Sequence, residues 1–424
     1  MKLPRFIKNV IPDYEVIDFK EWLQKDLIEI YIQKKDKLAV CNCSRCGHEL
    51  TVKRGKHRMN IKHMPFGKFE CRLIFWREKR HCPNCNKART EALDFLAPET
   101  PHLSKDYSWW LGRLVEIGTV SRTAKLTENS ASTLWRIDFA RLLKMVQNYE
   151  LPEVERISVD EVYTRRKRYF KSESRNEQYF TIITDLKTRR VIWVSTSRNK
   201  AALDEFFKIL GKDKCDKIKV AAMDLHDPYK ASVKEHCKNA TVVWDKFHVV
   251  RIFEDKLNDE RLKIYQDKDL PGSFKSKING KFKYLFLKRA SKRKKSEEKK
   301  LKEVMDENQQ FYKLELIKEK FLTFFYQKTA DDAQELIVEI KKWIEEEGFD
   351  FLKSWVDNFI KSWDTMKNYF EYRVTSALSE GTNNVIKSLK RRSFGFRNMP
   401  YFKLKIMQIC GYLNSDFINI EDYE

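Results

Sequence analysis

Residues 218–245, IKVAAMDLHDPYKASVKEHCKNATVVWD, decide how the second half of the chain folds. Two strand-like runs in this stretch each end in an aspartate, the first in Asp224 and the second in Asp245. Three β-rich segments and one helical pattern precede it, at residues 156–160, 179–184, 191–195 and 200–210. Because three hairpin-like strands are followed by strands that alternate with a helix, we predict an α/β sheet.

Two aspartates on this sheet are candidates for metal-dependent chemistry. Asp160 lies on the first predicted strand and Asp224 ends a later one, as a ribonuclease-H-like sheet would place them. Phosphoryl transfer with two metal ions needs carboxylates from separate elements, because Mg²⁺ requires anionic oxygen ligands. An aspartate at a strand end is also common as a turn or helix-cap residue, so this pattern leaves both interpretations open.

Other polar residues near these aspartates compete for the same role. Glu161 follows Asp160 and should point to the opposite side of the strand, whereas Asp185 should open a hairpin turn. Asp245 is either a neighbour of the site or the N-cap of the next helix, and the cap is slightly favoured. His248 either orients a phosphate or water, or is a hydrogen-bonded core histidine.

A third carboxylate, Glu380, lies in the helical stretch SEGTNNVIKSLKRR, residues 379–392. At about 100° per residue, Asn384, Lys387 and Arg391 fall close to the same face of the helix. A carboxylate that holds a metal ion would therefore share a face with cations that hold phosphates. The alternative is an ordinary amphipathic surface helix, because apolar residues occupy the opposite side.

The cysteines are concentrated near the start of the chain, where two Cys-x-x-Cys pairs are formed by Cys43, Cys46, Cys82 and Cys85. Each pair supplies two thiolates from one tight turn, so together they predict a tetrahedral, structural Zn²⁺ site. Four thiolates leave no open coordination position, which argues against a catalytic zinc. Reduced cysteines in a small core are the alternative, and other residues could replace a ligand: Cys41, Cys71, His48, His57, His63 and His81.

Residues 104–147 have the pattern of three helices, and the last helix begins at Ser130 after a short turn. This plan matches a helix-turn-helix, whose second helix enters the major groove of DNA. Ser132, Thr133 and Arg136, together with Ser130, could then reach base edges or phosphates. An ordinary three-helix bundle is the alternative. The predicted apolar stripes are Trp109, Trp110, Leu114 and Ile117 on the first helix and Trp135, Phe139, Leu142, Leu143 and Val146 on the last.

The composition favours a soluble multidomain protein that binds a polyanion. The 424 residues carry 84 Lys and Arg against 62 Asp and Glu, a formal charge of +22. DNA is the commonest partner of such a surplus, and an anionic membrane is the weaker alternative. Because no long apolar run and no signal-peptide pattern is present, we expect a cytoplasmic, nucleoid-associated protein without a membrane partner.

Composition and periodicity divide the chain into five predicted segments. Prolines at positions 98, 101 and 152 mark two of the boundaries. A basic run, Lys288–Lys302, lies within a long helical stretch, and a final helix should begin near Ser376. The segments are a zinc-binding module (1–97), a helix-turn-helix module (98–150), the first part of the α/β domain (151–245), a helical insertion (246–375) and a C-terminal helical part (376–424).

With these residues assembled, the chain resembles a bacterial insertion-sequence transposase of the DDE type, specifically the ISL-three family. The resemblance covers nearly the whole chain, and it depends on the order of the motifs because each motif alone is common. Besides the paired cysteines and the helix-turn-helix, the motifs are Ser158-Val159-Asp160-Glu161, Met223-Asp224-Leu225 with Pro228-Tyr229, Asp245-Lys246-Phe247-His248, Ser379-Glu380-Gly381, Ile386-Lys387 and Ser393-Phe394-Gly395-Phe396-Arg397-Asn398.

The resemblance implies a ribonuclease-H-like catalytic domain that a helical insertion interrupts, with Asp160, Asp224 and Glu380 as the metal-binding triad. It implies Mg²⁺ or Mn²⁺ as the catalytic ion, cleavage at the ends of the element, and attack of the freed 3′-OH on target DNA. One departure is Leu225-His226-Asp227-Pro228, which puts a second aspartate beside the triad. We keep Asp224, because it ends an apolar strand whereas Asp227 precedes a proline and should lie in a turn.

The resemblance also implies partners and leaves two rival functions. The N-terminal modules would bind inverted-repeat DNA, while Lys387, Arg391 and the basic run would hold its backbone. Joining two DNA ends favours a homodimer or larger synaptic complex. A transposase-derived DNA-binding regulator would have lost the triad, whose three acidic residues are all present here. A metal-dependent nuclease without strand transfer would keep the triad, so the sequence does not separate it from a transposase.

Overall fold

A computed structural model describes residues 11–36, 40–164, 175–374 and 377–413. The chain forms two compact units, which divide between Tyr149 and Glu150. The predicted helix start near Ser376 and both ends of the five-segment division lie outside the described residues. Within the described part of the chain, each helix is too short or too polar to cross a membrane.

Unit 1 begins with a five-stranded sheet in the order β1-β2-β4-β3, with β5 paired to β4. Its apolar side forms a core that includes Ile30, Ile61, Leu73 and Phe75. The strands are β1 (Tyr14–Trp22), β2 (Leu27–Lys34), β3 (Lys53–Phe66), β4 (Phe69–Cys82) and β5 (Lys87–Thr90).

Three helices complete unit 1: α1 (Lys105–Ile117), α2 (Val120–Thr127) and α3 (Ala131–Gln147). Their starts are fixed by side-chain caps, since Ser104, Thr119 and Ser130 each accept a hydrogen bond from the backbone N–H three residues later. The predicted stripes on the first and last helices are wrong by about one position. Of the predicted residues only Leu142 is fully buried, and Ile117 is 80% exposed. The other core residues of these two helices are Tyr107, Leu111, Val115, Leu134, Ile137 and Met145.

Unit 2 contains a second five-stranded sheet in the order β10-β9-β6-β7-β8. Its strands are β6 (Arg156–Tyr163), β7 (Tyr179–Asp185), β8 (Arg190–Ser195), β9 (Val220–Met223) and β10 (Thr241–Trp244). The pairs β6-β7 and β7-β8 are antiparallel, whereas β9 runs parallel to β6 and β10 runs parallel to β9. The three consecutive antiparallel strands and the α/β character were therefore correctly predicted.

Helices surround this sheet and form a large insertion after β10. Helix α4 (Lys200–Leu210) packs on α5 (Asp227–His236), while α11 (Ala377–Arg392) contacts β6 and α12 (Met399–Cys410) contacts β8. Between them lie α6 (Lys246–Gln266), α7 (Lys295–Glu307), α8 (Gln309–Thr323), α9 (Ala330–Glu346) and α10 (Asp350–Lys361). Short helices span Lys212–Cys215, Gly272–Lys277, Phe282–Phe286, Trp363–Met366 and Asn368–Tyr372.

Aromatic side chains hold the insertion together. Phe253 lies between Phe321 and Trp355, with ring centroids 4.4 and 4.8 Å away. Phe324 and Phe359 extend this cluster, and their ring centroids are 5.1 Å apart. The insertion returns to the sheet where the Asn368 amide donates to the carbonyl of Val242 on β10, at 2.8 Å. The aromatic cluster thus fixes where the chain re-enters the sheet region.

Candidate metal centres and nucleic-acid surfaces

The four paired cysteines meet at one end of the first sheet. The sulfur atoms of Cys43, Cys46, Cys82 and Cys85 all lie within 4.8 Å of one another, and two of the separations are 3.5 Å. Zn–S bonds of about 2.3 Å in a tetrahedron place sulfurs about 3.8 Å apart, so the cluster fits Zn²⁺. In each knuckle a backbone N–H points at the first sulfur, from Arg45 to Cys43 and from Cys85 to Cys82, both at 3.4 Å.

Three of the possible substitute ligands, Cys41, Cys71 and His63, have other partners. The Cys41 thiol donates to the carboxylate of Glu91 at 3.3 Å, and the Cys71 thiol donates to a backbone carbonyl. His63 lies 2.8 Å from the Ser104 hydroxyl through its Nδ1. Among the described residues, only the paired cysteines form a four-ligand group in unit 1. The geometry of the described residues therefore favours the two Cys-x-x-Cys pairs as the ligand set.

The N-terminal end of α3 presents the polar residues expected from the sequence. Ser130 caps the helix and also donates to the Thr133 hydroxyl at 2.8 Å, so its hydroxyl already forms hydrogen bonds within the start of the helix. Ser132 and Arg136 are exposed. Beside them a groove of about 300 Å³ is lined by Thr133, Arg136 and two residues of the sheet, Lys62 and Arg72. These two cations could not be predicted as neighbours of α3, because they belong to strands distant in the chain.

In unit 2 the parallel register aligns three aspartates at one edge of the sheet. Val159 pairs with Met223, and Met223 pairs with Trp244, so these residues form one row across β6, β9 and β10. The next residue on each strand is an aspartate, and these are Asp160, Asp224 and Asp245. The strand order thus brings together carboxylates from three separate elements.

Burial and neighbouring carboxylates raise the pKa of two of the three predicted metal ligands, Asp160 and Asp224. Burial is the main cause for Asp224, and the charges of Asp160, Asp245 and Glu161 add to it, so that its pKa rises to about 8. Burial likewise raises the pKa of Asp160, against hydrogen bonds from Glu161 and Asn383 that favour its charged form. A site that disfavours negative charge in this way is one that a divalent cation stabilises.

Two neighbours left open by the sequence have defined roles. Asp245 is buried and caps α6 by accepting a hydrogen bond from the Phe247 N–H, while its charge also acts on Asp160 and Asp224. The cap was the favoured interpretation, and the structure supports both. Nδ1 of His248 lies 3.2 Å from Oδ2 of Asp224, and burial lowers the pKa of this imidazole. The histidine is therefore placed to orient the Asp224 carboxylate.

A polar network lies behind Asp160, and the sequence did not indicate it. Glu161 forms an ion pair with Arg198 at 3.2 Å. The Tyr229 hydroxyl lies 2.6 Å from the Thr181 hydroxyl, and Thr181 donates to the carbonyl of Ser197. Burial raises the pKa of Tyr229 far above its usual value. These contacts fix the strand that carries Asp160.

Helix α11 reaches the aspartates through an asparagine. The amide nitrogen of Asn383 donates to Oδ2 of Asp160 at 2.7 Å, while its own Oδ1 is buried without a protein partner. Glu380 lies one helical turn earlier and is exposed. The three predicted metal-binding carboxylates do not form a group within 4.8 Å in the described residues. Asp160 and Asp224 follow paired residues on neighbouring strands. Glu380 lies three residues before Asn383, which is the residue of α11 that contacts Asp160.

The basic residues differ in their availability. Lys387 and Arg391 are exposed on α11, as the prediction requires. In the basic run, Arg293 has a side chain only 1% exposed, because it forms ion pairs with Glu298, Glu315 and Glu319. Part of the run is therefore committed to the core of the insertion and does not face solvent.

One other group of metal-ligand residues occurs in the described part of unit 2: Asp204, Glu235 and His236. The ammonium of Lys200 already lies between its carboxylates, 2.8 Å from Asp204 and 2.7 Å from Glu235. The Ser232 hydroxyl donates to Asp204 as well. We interpret this group as an ion-pair network that joins α4 to α5.

Comparison with known proteins gives consistent matches. Residues 157–406 match the model of the ISL-three (ISL3) family of the DDE type, described as a transposase. The chain is 24% identical over 398 residues to the transposase for insertion sequence element IS1001 of Bordetella parapertussis, covering 91% of this chain and 93% of the relative. It is 22% identical over 442 residues to the transposase for insertion sequence element IS1557 of Mycobacterium tuberculosis, covering 96% of this chain and 93% of the relative.

Proposed function

The chain belongs to the ISL-three family of insertion-sequence transposases, and on that premise we propose that it cuts DNA at the ends of an element and transfers the strand to a target. The observation that carries the proposal is the row of aspartates at the carboxyl edge of parallel strands, with Asp160 and Asp224 on neighbouring strands. The strand order β10-β9-β6-β7-β8 supports a ribonuclease-H-like assignment for this sheet.

In this proposal Asp160, Asp224 and Glu380 hold divalent cations, Mg²⁺ or Mn²⁺. The residues fit such ions, because two carboxylates with raised pKa values and the buried Oδ1 of Asn383 offer oxygen ligands at one place. When bound, the ions supply Lewis-acid activation of water and of the scissile phosphate. His248 orients Asp224, and Asn383 orients Asp160 while it anchors the helix that carries Glu380.

We place DNA on both units. In unit 1, the exposed N-terminal end of α3 with Ser130, Ser132, Thr133 and Arg136 reads the inverted repeats. Lys62 and Arg72 across the groove contact the phosphates. In unit 2, Lys387 and Arg391 hold the backbone near the metal site. The surplus of positive charge over the chain supports this assignment.

The remaining features follow from the same proposal. The cysteine cluster holds a structural Zn²⁺ that ties β4 and β5 to the loop at residues 43–46. Two DNA ends must be joined, so the active form is a homodimer or larger synaptic complex. The protein would act on the nucleoid in the cytoplasm. The five predicted segments correspond in this view to zinc, helix-turn-helix, catalytic, insertion and C-terminal catalytic parts.

The test is an assay with a labelled duplex that carries the flanking end of the element. Wild-type protein with Mg²⁺ should cut this duplex, and a 3′-OH end supplied with a target should give a joined product. Asp224→Ala and Glu380→Ala should bind the duplex and fail to cut it. Equal cleavage by wild type and variants would overturn the triad. Cleavage without joined product would favour the nuclease, and intact binding without any cleavage would favour the DNA-binding regulator.

A further inference from the structure

Phe394 lies immediately after helix α11, in the loop that joins this helix to α12. Its side chain is 100% exposed, the largest exposure among the exposed large hydrophobic residues described. Its backbone φ is +51°, in the left-handed region that bulky residues rarely adopt. An aromatic side chain with both properties requires an explanation.

The helix ends in a hydrogen-bond pattern that normally selects glycine. The Gly395 N–H donates to the carbonyl of Lys390 at 2.9 Å, and the Phe394 N–H donates to the carbonyl of Arg391 at 3.1 Å. These are the two bonds of a Schellman motif, which makes Phe394 the C′ residue. In helices that end this way the position is usually glycine, because a Cβ disfavours the left-handed conformation. The stability of this helix end therefore does not account for the phenylalanine.

Packing does not account for it either. Phe396, two residues later, stacks on Phe402 of α12 with ring centroids 4.3 Å apart. That contact anchors the loop to the unit while Phe394 points into solvent. Strain at an exposed apolar residue indicates that the side chain acts at a surface contact.

The charge of the residues around Phe394 indicates which kind of partner this side chain contacts. Residues 381–413 contain no aspartate or glutamate and seven lysines and arginines. Three arginines flank the phenylalanine closely and are exposed, Arg391, Arg392 and Arg397. A segment of this composition attracts the phosphates of a nucleic acid far more than the mixed surface of a protein.

We propose that Phe394 inserts between base pairs of the duplex that α11 holds, and so unstacks the DNA near the cleavage site. The inference rests on the proposed function, since it deepens the role of the same DNA-binding helix. Apolar wedges flanked by basic residues kink duplexes in this manner. Phe394 lies eleven residues beyond Asn383, which corresponds to about 16 Å along the helix axis from the residue that contacts Asp160. At about 3.4 Å per base pair, the unstacked step lies within about five base pairs of the cut.

The test uses full-length protein and duplexes of the element end in which 2-aminopurine replaces one adenine at successive positions near the cleavage site. Wild-type protein should raise the fluorescence at one position within about five base pairs of the cut. Phe394→Gly should lose this increase while its affinity for the duplex stays within about tenfold, because phosphate contacts supply most of the binding. Its Tm should equal or exceed that of wild type, since glycine suits the left-handed position. Tyr284→Ala, which removes another exposed aromatic of unit 2, should behave as wild type.

The outcomes separate this inference from the proposed function. Binding and an undiminished fluorescence increase in Phe394→Gly would overturn the wedge and leave the transposase proposal standing. Failure of wild-type protein to bind the duplex would overturn both. Loss of self-association in Phe394→Gly, with DNA unstacking retained, would identify a second copy of the chain as the partner and would also overturn the wedge.

Discussion

Asp224 is a half-buried carboxylate among other carboxylates, which destabilises its charged form. Its pKa of about 8 means that the metal-free folded protein binds one proton more than the unfolded chain between about pH 4 and pH 8. Folding stability therefore falls as pH rises through this window, by at most about 1.4 kcal/mol per pH unit. The side chain is 27% exposed, so solvent screening reduces the effect.

We predict that Asp224→Asn is more stable than wild type in buffer without Mg²⁺ and Mn²⁺, and that the difference grows between pH 5 and pH 8. The amide keeps the shape of the side chain and carries no charge at either pH. The measurement is the Tm of both proteins at the two pH values. Asp227→Asn, at an exposed position three residues later, is the matched control and should show no such trend. A pH-independent difference for Asp224→Asn would contradict the prediction.

Asn383→Ala should raise the pKa of Asp160, because the Asp160 charge loses its side-chain donor. A hydrogen bond to a charged group contributes about 1.5–3 kcal/mol, so cleavage near neutral pH should fall about 10- to 100-fold. The loss should diminish at higher pH, where Asp160 ionises without help. The measurement is the pH profile of cleavage, with the exposed Asn384→Ala as control. A uniform loss at all pH values would indicate a merely structural role.

Single residues show what the sequence could decide. Asp224 was correctly placed at the end of a strand, because the apolar run before it is unambiguous. Asp227 was predicted in a turn and instead begins α5, since proline is well accommodated in the first turn of a helix. The contact of Asn383 with Asp160 could not be predicted, because 223 residues separate them and only the fold brings them together.

At the scale of elements, α3 shows why the apolar stripe was misplaced. Its buried face includes two charged residues, Asp138 and Arg141, whose ion pair spans 3.5 Å, and Arg141 also contacts Glu116 of α1 at 3.0 Å. A prediction from apolar residues alone therefore selects the neighbouring face of the helix as the buried one. Gly112 makes room for this ion pair, since a Cβ there would meet Arg141 at 2.9 Å.

The cysteine cluster allows a prediction for whole elements of unit 1. Cys82→Ser, or a strong chelator, should remove hydrogen-exchange protection from β4 and β5 and leave β6 and β9 protected. Structural zinc sites contribute several kcal/mol of folding free energy, so the loss should be large. Cys71→Ser is the control, because this buried thiol bonds to a backbone carbonyl outside the cluster. Unchanged protection in β4 would contradict a structural metal there.

At the scale of the whole molecule, the chain has a surplus of positive charge and folds into two compact units that differ in architecture. The order of modules along the chain stays a prediction, which rests on the periodicity and the marker residues of each module. The groove beside α3 could not be predicted, because the cations that line it come from a sheet and a helix more than sixty residues apart. Tertiary structure alone joins them into one surface.

We predict that Arg72→Gln and Arg136→Gln each weaken duplex binding and reduce its salt dependence. Each phosphate contact contributes about 0.9 to the slope of log Kd against log salt concentration, so each variant should lose about one unit. The measurement is fluorescence anisotropy over a series of KCl concentrations. The control is Lys79→Gln, because Lys79 is exposed and lies on β4, the strand that also carries Arg72. A slope unchanged in both arginine variants would remove the groove from the DNA-binding surface.

The proposed function depends on a divalent-cation site formed by Asp160 and Asp224. Mn²⁺ binding tests this site without any knowledge of the DNA sequence. Free Mn²⁺ can be counted by electron paramagnetic resonance while metal-free protein is titrated with it at pH 8. We predict saturable binding by wild type, loss of this binding in both Asp160→Asn and Asp224→Asn, and wild-type behaviour in Asp227→Asn. Equal Mn²⁺ binding by wild type and by the Asp160 and Asp224 variants would contradict it.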